Sequence, residues 1–302
     1  LKFPYPKFLK HLRNEKHLKE VTVEKYKRWV THWTVWCNAQ GIKPLKAEIE
    51  DAGEYVNSLK NDYHPDTVGH IMSRLKNFYD WACYNGMAKR NPFSFIRRPR
   101  AHNRIPQVLS EKSILRILNS FKGRKPKELR DRAMLEVLYA TGCRSSELCA
   151  MNVHDIDFEG KKVIIHDIKN KKDRIGFLTD RAVEALKEYL KYSRPFFEDI
   201  DSPPALFLAR HGQRIHRNIL YEAIQKAARK AKVSTSVYPH LVRHSFATHL
   251  LENGADIRYV QELLGHQKLT STQIYTHVAS RKLKEAYNRF HPCGKEVACT
   301  RE

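Results

Sequence analysis

The segment NPFSFIRRPRAHNRIPQ, residues 91–107, places prolines at 92, 99 and 106 between two long stretches of helical periodicity. Proline lacks an amide hydrogen and drives the residue before it out of the α region, so no helix passes through such a segment. The chain must therefore close two cores, one on each side. At about 100–200 residues per domain, 302 residues provide enough chain for both. This divides the chain into a helical domain at 1–96, a linker at 97–106 and a second domain at 107–302.

On the N-terminal side, Phe8, Leu12, Val23, Tyr26, Trp29, Val30, Trp33 and Trp36 recur at spacings near three and four. A further helix opens near Lys46 and carries Ile49, Ala52, Tyr55, Val56 and Leu59. Another follows Pro65 with Val68, Ile71, Met72, Leu75, Phe78, Tyr79 and Ala82. The spacing predicts a bundle of about four helices with these side chains as its core.

The second side is mixed. Ser110 caps a helix, and LRDRAMLEVLYATG is a helix closed by Gly142. Val163 to Ile165 and Arg174 to Leu178 are β-like runs on either side of the basic turn DIKNKKD, which predicts a hairpin. Thr179 caps the next helix. From Ile215 to Phe290 the pattern is helical again, broken near Pro239, Gly254 and Gly265. The fold class expected is mainly α with a small antiparallel β-sheet.

Charge narrows the function. Fifty-five Lys and Arg stand against 33 Asp and Glu, a formal net charge of +22. A small acidic substrate does not account for that excess, whereas nucleic acid or an anionic membrane surface does. No run of about 18 apolar residues exists, so a membrane span is not expected. Arg97, Arg98, Arg100 and Arg104 in the linker share one sign, as a strap along a phosphate backbone would. Six cysteines are scattered without a C-x-x-C pair and no secretory leader precedes the first helix, which points to a reducing, cytoplasmic setting.

Residues suited to phosphate chemistry cluster in the second domain. His240 and Arg243 are three apart just after Pro239 and share a helix face, where a guanidinium fork and an imidazole can clamp a phosphate. Asp256 caps a helix that Gly265 stops, leaving His266 just beyond the stop. Thr270 caps the next, which exposes Tyr275 in its first or second turn. Arg144 follows the Gly142 stop, with Glu147 three residues on to hold it. His240 and His244 have the i, i+4 spacing of metal ligands, but no H-E-x-x-H motif and no acidic cluster accompany them, and there is no phosphate-binding G-x-x-x-x-G-K-[ST] loop. Neither metal nor cofactor is expected.

ATGCRSSEL, HLVRHSFATHLLENGADIRYVQELLGH and TSTQIYTHV resemble, in type, order and spacing, the two arginine boxes and the nucleophile segment of the tyrosine recombinase (phage integrase) family, Xer-like branch. The resemblance is strong from Gln107 onward and looser before it. It implies a helical SAM-like core-binding domain followed by an α+β catalytic domain. It implies that Arg144 and Arg243 grip the scissile phosphate, with His240 and His266 completing the clamp and His240 accepting the proton of Tyr275. Tyr275 would form a 3′-phosphotyrosyl bond and release a 5′-hydroxyl. KKDRIGFL resembles the family's K-x-R segment when Lys172 is the general acid; Lys169 and Lys171 flank it, and with Arg174 they are expected to face DNA.

The chemistry is consistent with the residues. A phenol titrates near 10, so tyrosine attacks at neutral pH only where cations offset the developing charge. The resemblance further implies double-stranded DNA with paired inverted-repeat half-sites. It implies a homotetramer on two sites, a monomer or weak dimer without DNA, a partner recombinase or directionality factor, and a cytoplasmic, nucleoid-associated location. LKEAYNRFHPCG resembles a tail that docks on a neighbouring protomer. Two other readings share these residues: a catalytically silent sequence-specific DNA-binding protein, and a type IB topoisomerase-like relaxing enzyme.

Overall fold

The computed structural model describes residues 5–99, 107–167, 173–265 and 286–293. Its contacts divide the chain into two compact units, Leu1–Ile105 and Pro106–Glu302.

In the first unit the apolar spacing produces four helices, α1 Tyr5–Asn14, α2 Glu20–Ala39, α3 Ile49–Asp62 and α4 Pro65–Tyr84. The expected start near Lys46 is instead a 3-10 turn, Pro44–Lys46. α3 begins after Glu48, whose amide donates to Asp51 Oδ2 at 2.8 Å. The core is aromatic: Phe8, Trp33, Tyr55, Phe78, Tyr79 and Phe93 are buried together. Their polar ends find partners, as burial requires. Trp33 Nε1 donates to Tyr79 Oη at 2.8 Å, and the Tyr79 hydroxyl donates to the Pro44 carbonyl. The proline-rich segment begins inside this unit, because Phe93 fills the core and Arg98 donates to the Gly69 carbonyl (2.9 Å) and to Ser73 Oγ (2.6 Å) on α4.

The second unit is built around α6 Pro126–Thr141, which is buried on every side from Leu129 to Thr141 except at Arg132. A helix enclosed all round is usually apolar, yet this one buries three charges. Arg130 is paired with Asp131 (3.1 Å) and donates to the Leu208 carbonyl, and Glu136 is paired with Arg181 (2.7 Å). α5 Glu111–Leu118, α8 Asp180–Tyr192, α9 Arg194–Phe197, α10 Arg217–Lys230 and α11 Pro239–Glu252 pack around it. Ser110 and Thr179 accept the amides of Ser113 and Ala182, starting α5 and α8. α7 Ser145–Ala150 follows α6, and α12 Ile257–Leu264 follows α11, capped by Asp256.

The sheet has three antiparallel strands in the order β1 Ile156–Asp157, β2 Lys162–Ile165, β3 Arg174–Phe177. The β2–β3 ladder ends at the pair Ile165–Arg174. Just beyond it His166 lies 3.1 Å from Asp155 and 2.9 Å from Asp173, which pins the base of the turn. No helix among the described residues is long and apolar enough to cross a membrane.

Residues 286–293 lie against the last turn of α6: Tyr287 Oη donates to the Ala140 carbonyl at 2.9 Å, and His291 Nε2 faces the Tyr139 carbonyl at 3.4 Å. The same turn meets α11 through Tyr139 Oη and His249 Nδ1, 2.9 Å apart. His249 Nε2 donates to the Leu109 carbonyl (2.6 Å), and the Leu109 amide donates to Ser245 Oγ (2.9 Å). Leu109 and residues 286–293 of this unit are thus both fastened beside the helix that carries His240 and Arg243.

Candidate active site

Three helix ends and one strand end meet in the second unit. α6 stops at Gly142 in the left-handed conformation, φ +57°, and a Cβ there would lie 2.4 Å from Cδ1 of Phe246. Only glycine meets both demands. The turn delivers Arg144 as the residue that starts α7. Its amide donates to Glu147 Oε2 at 2.8 Å and its Nη1 to Glu147 Oε1 at 2.5 Å. Arg144 stays 38% exposed, while Glu147 beneath it is 2% exposed.

Arg243, on the second turn of α11, is buried. It donates from Nη1 to the Gly142 carbonyl and from Nη2 to the Leu264 carbonyl, each at 2.8 Å. Arg174, first residue of β3, donates from Nη2 to Glu147 Oε2 at 2.8 Å and from Nε to the Leu263 carbonyl at 3.0 Å. Two successive carbonyls at the C-terminal, negative end of α12 are therefore held by guanidiniums from two other elements. Gly265 then turns left-handed, φ +66°, leaving 3.1 Å between where a Cβ would sit and Arg174 Cδ.

The guanidiniums of Arg144 and Arg174 thus both bond to Glu147, with Asp167 Oδ2 at 3.7 Å from Arg144 Nη1 as a further acid. Burial would raise the Glu147 carboxyl, but the Arg174 hydrogen bond, with those from Arg144, holds it below its ordinary range. Arg243 shows the opposite effect: burial, then repulsion from Arg144, brings it down to about 10, still cationic at neutral pH. The cluster is a fixed cationic pocket suited to an anion that spreads its charge over several oxygens.

His240 stands exposed on the first turn of α11, one turn before Arg243. His266 follows the Gly265 stop directly. His266, Tyr275, Lys169, Lys171, Lys172, Arg100 and Arg104 lie outside the described residues. Arg97 is exposed, whereas Arg98 is tied to α4 and Arg174 to the site's own framework, its side chain 11% exposed. Asp167 escaped the sequence reading, although it opens the basic turn as an acid before a run of lysines. Among the described residues no group of three or more His, Cys, Asp or Glu side chains is gathered to hold a metal ion.

Residues 107–282 match the phage integrase family, and residues 5–88 match the N-terminal SAM-like domain of phage integrases. The chain belongs to the phage integrase family, the tyrosine recombinases. The tyrosine recombinase XerD of Staphylococcus saprophyticus is 35% identical over 289 residues, 94% of this chain and 97% of its relative. The tyrosine recombinase XerC of Halalkalibacterium halodurans is 35% identical over 296 residues, again 94% of this chain and 96% of the relative. In three dimensions this recombinase resembles the XerH site-specific recombinase bound to a palindromic difH substrate. The TM-score is 0.72 at 20% identity, covering 93% of this chain and 82% of that one. The SAM-like helical domain and the mainly α catalytic domain with its small antiparallel sheet are therefore the recombinase fold, and the chain is an Xer-like site-specific recombinase.

Proposed function

We propose that this recombinase cuts and rejoins DNA at paired inverted-repeat half-sites through Tyr275, as a homotetramer on two duplexes, for integration, excision or resolution. The observation that carries the proposal is the pairing of Arg144 and Arg243. One sits half-exposed over Glu147; the other is buried, locked to Gly142 two residues before the first.

In this reading the two guanidiniums bind the non-bridging oxygens of the scissile phosphate and stabilise the pentacoordinate transition state. Tyr275 Oη attacks phosphorus, His240 takes its proton, and His266 donates to a non-bridging oxygen. The P–O5′ bond breaks as the P–Oη bond forms, and Lys172 protonates the departing 5′ oxygen. The 3′-phosphotyrosyl ester keeps the phosphodiester's energy, so a 5′-hydroxyl from the partner strand reverses the step through a Holliday junction without ATP. Arg97, Arg100, Arg104, Lys169 and Lys171 contribute to the backbone contacts that govern affinity.

In the assembly, the tail from Leu283 to Gly294 passes to a neighbouring protomer and fills the socket on α6 that Tyr287 and His291 occupy within one chain. A partner recombinase or directionality factor acts on the same complex, in the cytoplasm at the nucleoid.

Two-site exchange tests this. A pair of duplexes carrying the selected half-sites as inverted repeats yields four-way junctions and reciprocal products with the wild type, and neither with Tyr275→Phe. Efficient relaxation of site-free plasmids without exchange would instead identify a topoisomerase-like enzyme.

A further inference from the structure

Arg174 lies next to the lysine-rich turn, where a cation is expected to face DNA, yet its guanidinium points into the protein. Its Nη2 is bonded to Glu147, the carboxylate that also receives the amide and Nη1 of Arg144, and its Nε is bonded to the carbonyl of Leu263. The Gly265 turn that leads to His266 lies against the Arg174 side chain, with no room for a Cβ without a shift. Arg243 takes the next carbonyl, Leu264.

From this bonding we infer that Arg174 is a positioning residue: it fixes Glu147, and so Arg144, in the same frame as the end of α12, and so His266. The planar guanidinium makes this possible, because Nη2 and Nε point at two acceptors at once, on α7 and α12, from the first residue of the strand that follows the lysine turn. A lysine would satisfy one acceptor at a time. The bridge also ties β3, α7 and α12 together, so that the elements leading to two of the proposed phosphate ligands, Arg144 and His266, and to the general acid move as one body.

The inference rests on the reading of Arg144 and His266 as phosphate ligands, and the experiment separates the two. Single-turnover formation of the Tyr275 adduct is measured on a nicked half-site duplex at saturating DNA, beside duplex affinity at several salt concentrations, for wild type, Arg174→Met and Arg174→Lys. A positioning role predicts affinity and salt slope within twofold of wild type for Arg174→Met. The adduct rate falls roughly 100-fold, as for an ångström-scale misplacement of catalytic groups, and Arg174→Lys recovers part of it. Should the methionine variant fail to fold, the lysine variant carries the test alone, with a rate loss of tenfold or more at unchanged affinity as the expected result. A salt slope shallower by about 0.9, one phosphate contact, with the saturated rate unchanged would make Arg174 a DNA contact and overturn the inference. Unchanged rate and affinity would overturn it too. A wild type that makes no adduct at all would overturn the reading of the site itself.

Discussion

Arg243 donates to the carbonyl of Gly142 at 2.8 Å, and through that bond the second arginine of the site is held two residues from the first. Arg243 and its acceptor Gly142 lie 101 residues apart in the chain. Their spacing is set by a backbone acceptor at a helix stop, so it does not depend on side-chain rotamers alone.

Gly142→Ala therefore removes more than a turn. The new Cβ meets the Phe246 ring at 2.4 Å in a left-handed backbone, φ +57°. Overpacking and backbone strain together should cost about 2–4 kcal/mol, read as a lowered midpoint in denaturant, with strand cleavage lost in the folded fraction. A midpoint equal to wild type would mean that the turn is looser than described.

His291 provides a pH signature. Its burial against α6, offset only partly by the Tyr139 carbonyl, lowers its pKa from 6.5 to about 3, so it is neutral in the folded protein. Its Nδ1 accepts the Cys293 amide at 3.1 Å. The unfolded chain takes up a proton as pH falls through the ordinary histidine value, while the folded chain cannot until far lower. Stability from this group is thus complete above neutrality and declines as pH falls below about 6.5, by up to about 1.4 kcal/mol per pH unit. Denaturation at pH 7.5 and 5.5 should show about 1.4 kcal/mol of loss that His291→Gln removes. An equal loss in the variant would contradict the assignment.

The general acid can be assigned by its leaving group. A substrate with sulfur in place of the bridging 5′ oxygen leaves as a thiolate and needs no proton. Lys172→Ala should slow cleavage of the oxygen substrate by about 10²–10⁴-fold and leave the sulfur substrate near the wild-type rate. If Lys172→Ala cuts the oxygen substrate normally and Lys169→Ala or Lys171→Ala shows the rescued pattern, the acid is that lysine instead.

Much of this architecture is legible in the sequence where its cause is local. Ser110, Thr179 and Asp256 start helices because a side-chain oxygen accepts an amide two or three residues on, and Gly142 and Gly265 stop them because each adopts positive φ. β1, two residues long, is too short to show a period, and α9 only four. The charges of α6 look like a solvated face, yet Arg130, Asp131 and Glu136 are buried: Arg130 pairs with Asp131 and reaches the Leu208 carbonyl, and Glu136 pairs with Arg181. Arg174 presents the same difficulty at the site. Beside Lys169, Lys171 and Lys172 it looks like one more DNA-facing cation, and only the tertiary approach of Glu147 and Leu263 turns it inward.

Covalent capture tests most directly whether Tyr275 becomes joined to DNA in this cationic pocket. Wild type and Tyr275→Phe are incubated in EDTA with a pool of nicked random-sequence duplexes, and the DNA that stays attached in SDS is recovered and sequenced. Adducts are expected with the wild type alone, carrying a common half-site. Adducts of equal yield with Tyr275→Phe, or tight binding by the wild type with no adduct on any duplex, would contradict it.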